Sequence, residues 1–191
     1  MHSSKKGGKM ILGANELGER INAGGIVVEN GTCRIVPLIV SPEPVHIEGV
    51  SIDVKLDRVF YLPPQSDKPA YLGIKRRFVP AESEVSFDSD DTVRLHPGYY
   101  LVQTIEWINN HIDLVGDIRT RTTLFRSGAI LLTSIISPNY QGKLTFGLQV
   151  HRVLILERKA RIASITFHKV SGIPLLYTGP WQGGKVTAIE D

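Results

Sequence analysis

In Lys143-Leu144-Thr145-Phe146-Gly147-Leu148-Gln149-Val150, apolar side chains alternate with small or polar ones. Leu144, Phe146 and Leu148 point to one side of an extended chain, and the residues between them point to the other. Alternation with a period of two is typical of a β-strand that buries one face and exposes the other. This segment therefore predicts a half-buried strand.

Similar short runs, rich in β-branched residues, recur along most of the chain and are separated by Pro, Gly, Asn and Asp. No long helical period competes with them. The runs are Ile35–Val40, Ser51–Leu56, Val59–Leu62, Thr92–Leu95, Tyr99–Ile105, Ala129–Ile136, Leu144–Val150, Val153–Leu156 and Ile162–Phe167. They predict an all-β fold, either an antiparallel β-sandwich or a distorted jelly-roll.

One short helix is expected before the first strand. Asn15 is placed to cap a helix that runs through Ile21, with Glu16 near its positive end. Gly24-Gly25 would end this helix, after which the chain becomes extended. Farther on, Pro63–Glu84 is more polar and irregular, and it predicts a surface insertion.

The 191 residues predict a single domain with a real hydrophobic core. Residues 1–9 form a Gly/Ser/Lys/His segment that predicts a disordered basic tail or an added leader, and the natural start is left open between Met1 and Met10. Cys33 is the single cysteine, which excludes an internal disulfide and a cysteine-based zinc site. No apolar run approaches the roughly 20 residues of a membrane helix, so a cytoplasmic location is favoured and a membrane partner is not expected.

The charge balance argues against nucleic acid as a partner. The sequence pI is about 9.0, but Lys5, Lys6 and Lys9 account for the whole excess of positive charge. The remaining 19 basic residues equal the 19 acidic ones. Nucleic-acid binding depends on clustered charge that neutralises phosphates, and no such cluster is expected on the folded body.

Three later segments carry the sharpest functional pattern: Arg121-Thr122-Thr123-Leu124-Phe125-Arg126, Ile136-Ser137-Pro138-Asn139-Tyr140-Gln141-Gly142 and Tyr177-Thr178-Gly179-Pro180-Trp181-Gln182-Gly183-Gly184-Lys185. In order and spacing they resemble the dUTPase and dCTP deaminase superfamily, and archaeal-type, deaminase-like dUTPases in particular. The resemblance spans about Met10 to Lys185. It implies a dUTPase-like fold, a deoxynucleoside triphosphate (dUTP or dCTP) as ligand, and a homotrimer whose pockets are shared between subunits.

The first of these segments resembles the family's Arg-Ser-Ser-Leu-x-Arg motif, with threonines in place of both serines. The resemblance implies that Arg121, Thr122, Thr123 and Arg126 bind phosphate. Guanidinium groups and hydroxyls are suited to phosphate oxygens, and threonine keeps the hydroxyl. The alternative is a strand end with ordinary surface arginines.

The last segment resembles the family's C-terminal arm, which divides the chain into a β domain at 10–176 and an arm at 177–191. The resemblance implies that the arm closes over the nucleotide, with Gln182 and Lys185 on the phosphates and Tyr177 and Trp181 on the sugar or base. Its glycines would let backbone approach the ligand closely. The alternative is a frayed tail whose tryptophan packs on a neighbouring surface.

Asp53 is the candidate metal residue. Gly49–Leu56 resembles the family's first motif, in which an aspartate helps hold a nucleotide-bound Mg²⁺ ion, an ion that prefers oxygen ligands. The alternative is that Asp53 caps a turn at a strand edge. Glu106, which follows the His96-Pro97-Gly98 turn, is expected to be a buried hydrogen-bond partner rather than an acid catalyst.

Two positions depart from the family. Ser137 occupies the place of an aspartate near the sugar and the attacking water, and a serine without a neighbouring base cannot take a proton from water. Tyr140 is expected under the deoxyribose ring or, alternatively, in the core. Gly147, five residues after Gly142, occupies the place of the glutamate that the deaminases need.

The sequence therefore predicts a dUTP pyrophosphatase-like protein with weakened catalysis, in which a carboxylate from another subunit could replace the missing aspartate. A catalytically inactive nucleotide-binding or regulatory homologue is the alternative. A purely structural trimer and a dCTP deaminase are less favoured.

Overall fold

The computed structural model describes residues 10–62, 69–80, 82–186 and 189–190. The basic segment 1–9 lies outside these residues. Within them the chain forms helices α1 (Ala14–Asn22) and α2 (Thr122–Arg126) and the following strands: β1 (Gly25–Glu29), β2 (Thr32–Val36), β3 (Ile39–Val40), β4 (His46–Glu48), β5 (Ser51–Tyr61), β6 (Tyr71–Leu72), β7 (Arg77–Val79), β8 (Ser83–Val85), β9 (Thr92–Leu95), β10 (Gly98–Asn109), β11 (Leu114–Thr120), β12 (Ala129–Leu132), β13 (Gln141–Val150), β14 (Leu154–Glu157), β15 (Arg161–Lys169) and β16 (Ile189–Glu190).

The dominant feature is one nine-stranded antiparallel sheet. Its main path runs β11-β15-β5-β10-β13-β12, with β3, β4 and β8 paired to β10 or β5. The two ends of this path meet where Gly116 of β11 and Ile136, just after β12, exchange backbone hydrogen bonds of 3.0 and 2.8 Å. The sheet is therefore a nearly closed barrel. The predicted all-β, dUTPase-like fold with a short N-terminal helix is confirmed.

The alternation in β13 is also confirmed. Leu144, Phe146 and Leu148 are buried, and the residues between them are partly exposed. The buried side of β13 packs with the centres of β5 and β15, where Leu56 and Phe167 are fully buried. This continuous apolar interior is what closes the sheet, because burying each large apolar side chain stabilises the fold by about 1.5–3 kcal/mol.

Several local expectations were wrong. Helix α1 begins at Ala14, two residues earlier than predicted, with Gly13 rather than Asn15 as its N-cap and no side-chain cap. Strand β5 is continuous where two strands were expected, because a shift in its pairing with β10 accommodates the extra residue Asp57. Strand β11 was not predicted, since Gly116 and Asp117 interrupt its apolar pattern.

The segment predicted to be an irregular surface insertion contributes structure. Within its described part lie β6, β7 and the start of β8, and β8 extends the main sheet by pairing with the end of β5. No helix among the described residues is long and apolar enough to cross a membrane.

The C-terminal segment lies against its own chain. The Gly183 amide donates to the Gln141 carbonyl at 2.7 Å, and the Gln103 side chain donates to the Gly184 carbonyl at 2.9 Å. A Cβ added at Gly142 would lie 2.4 Å from the Gly184 nitrogen, a distance that real Cβ atoms do not adopt. Gly142 is therefore required for the close approach of these two backbones.

Phe167→Ala should lower the free energy of unfolding by about 3–5 kcal/mol, because it removes a fully buried ring from the interior. Phe125→Ala is the matched control: this ring is 50% exposed, and the expected loss is below about 1 kcal/mol. Urea unfolding followed by circular dichroism measures both. Equal losses would show that β15 does not form the centre of the core.

Gly142→Ala should release the C-terminal segment, because the new methyl group would collide with Gly184. Limited proteolysis should then cut within residues 177–186 faster than in the unmodified protein. Gly13→Ala is the control, since nothing lies within 4 Å of a Cβ at that position. Unchanged protection in Gly142→Ala would contradict the observed backbone contact.

Candidate functional site

A cavity of about 590 Å³ lies between the barrel strands, the loop after β12 and the C-terminal segment. Its floor is apolar and comes from the barrel strands: the buried Ile118, Leu144 and Phe146 and the partly exposed Leu101. Its rim is more polar and is formed by the loop after β12 and by the C-terminal segment. A cavity of this size with few polar groups is of the kind that binds small molecules in proteins.

The rim residue Ser137 is held in place by a buried asparagine. Asn110 is fully buried, and its side-chain nitrogen donates to the Ile136 and Ser137 carbonyls, both at 2.8 Å. Backbone hydrogen bonds join the same residue to Asn139 and Tyr140. The sequence analysis missed Asn110, although a polar residue at the end of a long apolar strand was an available signal. Its contacts fix the position of Ser137 at the cavity.

Tyr140 lies on the same wall and is only partly exposed. Its hydroxyl donates to the Lys143 carbonyl at 2.7 Å, and its ring meets that of Tyr177 edge-on, with centroids 5.6 Å apart. Burial raises the pKa of the Tyr140 hydroxyl well above its ordinary value, so this group stays neutral. The ring thus presents a fixed, uncharged surface to the cavity.

The C-terminal segment supplies another part of the cavity wall. Trp181 and Lys185 line the cavity beside Tyr177, so the structure brings three of the predicted arm residues to Ser137 and Tyr140. Gln182 does not line it. The Gln182 side chain instead donates to the Asn139 carbonyl at 3.0 Å and accepts from the Gln141 amide at 3.2 Å, which fastens the segment to the loop.

Arg121, the first of the predicted phosphate residues, lies in a separate polar cluster at the end of β11, centred on Asp53. Arg121 forms an ion pair with the Asp53 carboxylate at 2.8 Å, and Arg161 donates a hydrogen bond to the same oxygen at 3.2 Å. The Ser164 hydroxyl donates to the other oxygen at 2.8 Å. Asp53 is only 1% exposed, so two guanidinium groups and a hydroxyl offset the cost of burying its charge.

Within one chain this cluster does not line the cavity. Arg121 lies three residues beyond the cavity residue Ile118 along the strand direction, a separation of about 10 Å. Thr122, Thr123 and Arg126 are exposed on α2, which Leu124 anchors to the core. The predicted phosphate residues are therefore divided: Lys185 lies at the cavity with the predicted sugar and base residues, whereas Arg121, Thr122, Thr123 and Arg126 lie elsewhere on the chain.

Asp53 does not fit a magnesium ligand in this arrangement. His46, Glu48 and Asp53 bring possible ligand atoms within 4.8 Å of one another. However, the two oxygens of Asp53 already accept hydrogen bonds from Arg161 and Ser164, and one of them also pairs with Arg121. A divalent cation at that point would lie against two guanidinium groups, which repel it. The contacts make Asp53 a residue that positions arginines.

Glu106 is a buried hydrogen-bond partner, as predicted. Its side chain is fully buried and accepts a hydrogen bond of 2.9 Å from the Lys55 backbone amide. Burial raises the pKa of the Glu106 carboxyl. Gly147 lies on the partly exposed face of β13 with Thr145, and a Cβ there would lie 3.1 Å from the Leu132 side chain. That position therefore carries no proton-transfer group.

One charged residue of the cavity was not predicted from the sequence. Glu82, in the segment taken for a surface insertion, lines the cavity together with Ser137 and Lys185. Among the described lining residues, Glu82 and Lys185 are the two with charged side chains. An acidic residue just before a three-residue polar strand is too common a pattern to have identified Glu82. The sheet pairing of β8 places it there.

Asp53→Asn should lower the free energy of unfolding by about 3–5 kcal/mol, because removing one partner leaves buried charge from the arginines uncompensated. Glu48→Gln is the control, since Glu48 is exposed and lies 3.8 Å from Arg121. Its expected effect is below about 1 kcal/mol. Thermal and urea unfolding measure both variants, and equal stability of the two would contradict a central role for Asp53.

Comparison with known proteins identifies the family of this chain. The model of the dCTP deaminase-like family matches residues 11–170. A deoxyuridine 5'-triphosphate nucleotidohydrolase of Methanocaldococcus jannaschii is 25% identical over 142 residues, covering 74% of this chain and 90% of its own. A probable enzyme of the same name from Methanococcoides burtonii is 28% identical, with 92% and 99% covered.

Deaminases are also among the relatives. A dCTP deaminase of Pyrobaculum islandicum is 25% identical over 92% of this chain and 93% of its own. The crystal structure of 2'-deoxycytidine 5'-triphosphate deaminase from Agrobacterium tumefaciens superposes with a TM-score of 0.60 at 15% identity, over 85% of this chain and about half (49%) of that one. The family match covers most of the chain, and the superposition agrees with it in fold. The chain belongs to the dCTP deaminase-like family, which it shares with archaeal dUTPase homologues.

Proposed function

We propose that this protein binds a deoxynucleoside triphosphate in the 590 Å³ cavity and hydrolyses dUTP to dUMP and pyrophosphate. The observation that carries the proposal is the meeting of Ser137 and Tyr140 with Trp181 and Lys185 around one apolar floor. Relatives named as dUTP nucleotidohydrolases support the substrate class. We expect the protein to act in the cytoplasm.

The cavity has an apolar part and a charged part, which suit different parts of the nucleotide. The floor and the neutral ring of Tyr140 suit the deoxyribose and base, since a fixed aromatic surface leaves little room for a 2′-hydroxyl. Lys185 contributes a positive charge for the phosphates, and the docked C-terminal segment would keep water away from the ligand.

In a homotrimer, the cluster of Arg121 and its neighbours around Asp53 would complete the cavity of a neighbouring copy. Arg121 lies three residues beyond the cavity residue Ile118, about 10 Å along the chain, and its side chain is paired with Asp53. Thr122 and Thr123 are exposed and do not line the cavity of their own chain. Ile130, Leu132 and Ile135 are 43–61% exposed beside the cavity, and burying such an apolar surface would favour association. A cyclic trimer would place one cluster at each cavity.

Asp53 would not be a ligand of the magnesium ion. Mg²⁺ keeps most of its waters and is often bound through substrate phosphates, so triphosphate oxygens would hold it. The residues of this chain would contribute the pocket, the positive charges and the exclusion of solvent.

A catalytically inactive, nucleotide-binding regulator is the second candidate. Ser137 favours it, because a hydroxyl cannot replace a carboxylate as a base. Deamination of dCTP is disfavoured by Gly147, although deaminases are among the relatives. These alternatives differ in product, so one set of assays separates them.

Incubation with dUTP should release pyrophosphate, and incubation with dCTP should release no ammonia. Arg121→Ala should lower the rate at least about tenfold, because charge-assisted contacts to phosphate are each worth roughly 1.5–3 kcal/mol. Arg119→Ala is the matched control, since Arg119 pairs with Asp117 on the exposed side of β11. Calorimetric binding of dUTP without pyrophosphate release would favour the regulator, and the absence of binding would refute both candidates.

The sharing of a site between two subunits can be tested with the same assay on mixed variants. Arg121→Ala and Tyr140→Ala should each be impaired alone. Refolding the two together should restore about a quarter of the native rate, because one chain can supply the cavity and another the arginine in a cyclic trimer. A mixture no more active than its components would contradict the sharing of sites.

A further inference from the structure

The protein has a carboxylate at the cavity although Ser137 occupies the family's aspartate position. We infer that Glu82 is the general base of this site: its carboxylate takes the proton from the water that attacks the nucleotide. The inference rests on the proposed hydrolysis of dUTP.

Glu82 is positioned by the main sheet. It immediately precedes β8, whose Ser83 is opposite Tyr61 in the ladder with β5. Leu62, the residue after Tyr61, also lines the cavity, and its amide donates to the Tyr99 carbonyl at 3.2 Å. Glu82 is therefore one residue away from a regular backbone ladder, and its partly buried side chain belongs to the cavity wall.

The other carboxylates near the barrel are occupied. Asp53 accepts hydrogen bonds from Arg161 and Ser164 and forms an ion pair with Arg121. Asp57 accepts a hydrogen bond of 2.6 Å from the Lys143 ammonium group, and Glu84 forms an ion pair with Arg58 on the surface. Glu106 is enclosed in the core. Among the described residues, Glu82 is the carboxylate that lines the cavity with Ser137.

The surroundings suit a proton acceptor. Burial raises the pKa of the Glu82 carboxyl above its ordinary value, which brings it nearer to neutral pH and strengthens it as a base. The ionisable groups that line the same cavity are Lys185, Tyr140 and Tyr177, and the Arg58–Glu84 pair lies in the adjacent ladder. Ser137 would then orient the water by a hydrogen bond, a task for which a hydroxyl suffices.

The step balances without a further reactant. The water oxygen forms a bond to the α-phosphorus, and one water proton passes to the Glu82 carboxylate. The bond from the α-phosphorus to the bridging oxygen breaks, and pyrophosphate leaves with that electron pair. Glu82 then returns the proton to solvent.

Glu82→Gln tests the inference, with Glu84→Gln as the matched control two residues away. Removing a general base should lower kcat for dUTP by about 10²–10⁴-fold, whereas Glu84→Gln should keep the native rate. Calorimetry with the non-hydrolysable α,β-imido analogue of dUTP should show unchanged affinity in both variants.

The pH profile separates a base from a structural residue. The base must be ionised, so the native rate should fall as the pH drops through the raised pKa of Glu82, above the ordinary carboxyl value of 4.5. The residual rate of Glu82→Gln should lack this acid limb. Adding Ser137→Asp to Glu82→Gln should recover part of the rate and restore an acid limb, because it supplies another carboxylate at the same cavity.

The possible failures are distinct. Native protein that binds dUTP without hydrolysing it would overturn the proposed hydrolysis and Glu82 as its base. Native hydrolysis together with an unchanged kcat in Glu82→Gln would overturn the assignment of Glu82 alone. Loss of affinity for the imido analogue in Glu82→Gln would make Glu82 a binding residue and also overturn it as the base.

Discussion

The cavity depends on one close contact between backbones. Gly142, at the start of β13, lets the Gly184 nitrogen approach to within a distance that any Cβ would block. Hydrogen bonds from Gly183 to Gln141 and from Gln103 to Gly184 hold the C-terminal segment in that place. Trp181 and Lys185 can reach the cavity only because this segment lies against β13. A contact without side chains thus determines where the side chains of the site lie.

The second constraint is the pairing of buried charge. Asp53 holds Arg121 and Arg161, and such an arrangement is stable because each charge has a partner. It also fixes the direction of the guanidinium groups and keeps them out of the cavity of their own chain. In the proposed trimer, an anionic ligand bound in the cavity of one copy would contact the arginines of the next. Because the orientation of these arginines is already set, binding would cost less entropy.

The barrel explains why a cavity forms at all. Gly116 of β11 allows Ile136 to approach its backbone, since a Cβ at Gly116 would lie 2.8 Å from the Ile136 side chain. This closes the sheet beside Ser137, while Asn110 fixes the loop from the inside. The apolar floor and the polar rim therefore arise from the same junction of β11 with the loop after β12.

Much of the fold follows from local pattern, because alternation with a period of two records which face of a strand is buried, as in Leu144, Phe146 and Leu148. The same pattern did not predict β11, where Gly116 and Asp117 serve barrel closure and exposure rather than core packing. The motifs likewise indicated the family and the residues Ser137, Tyr140, Trp181 and Lys185 by their order in the chain. Only the tertiary structure separated Arg121 from these residues, gave Asp53 its arginine partners and brought Glu82 to the cavity. The physical reason is that ion pairs and cavity walls join residues far apart in sequence, and no local periodicity encodes their distance.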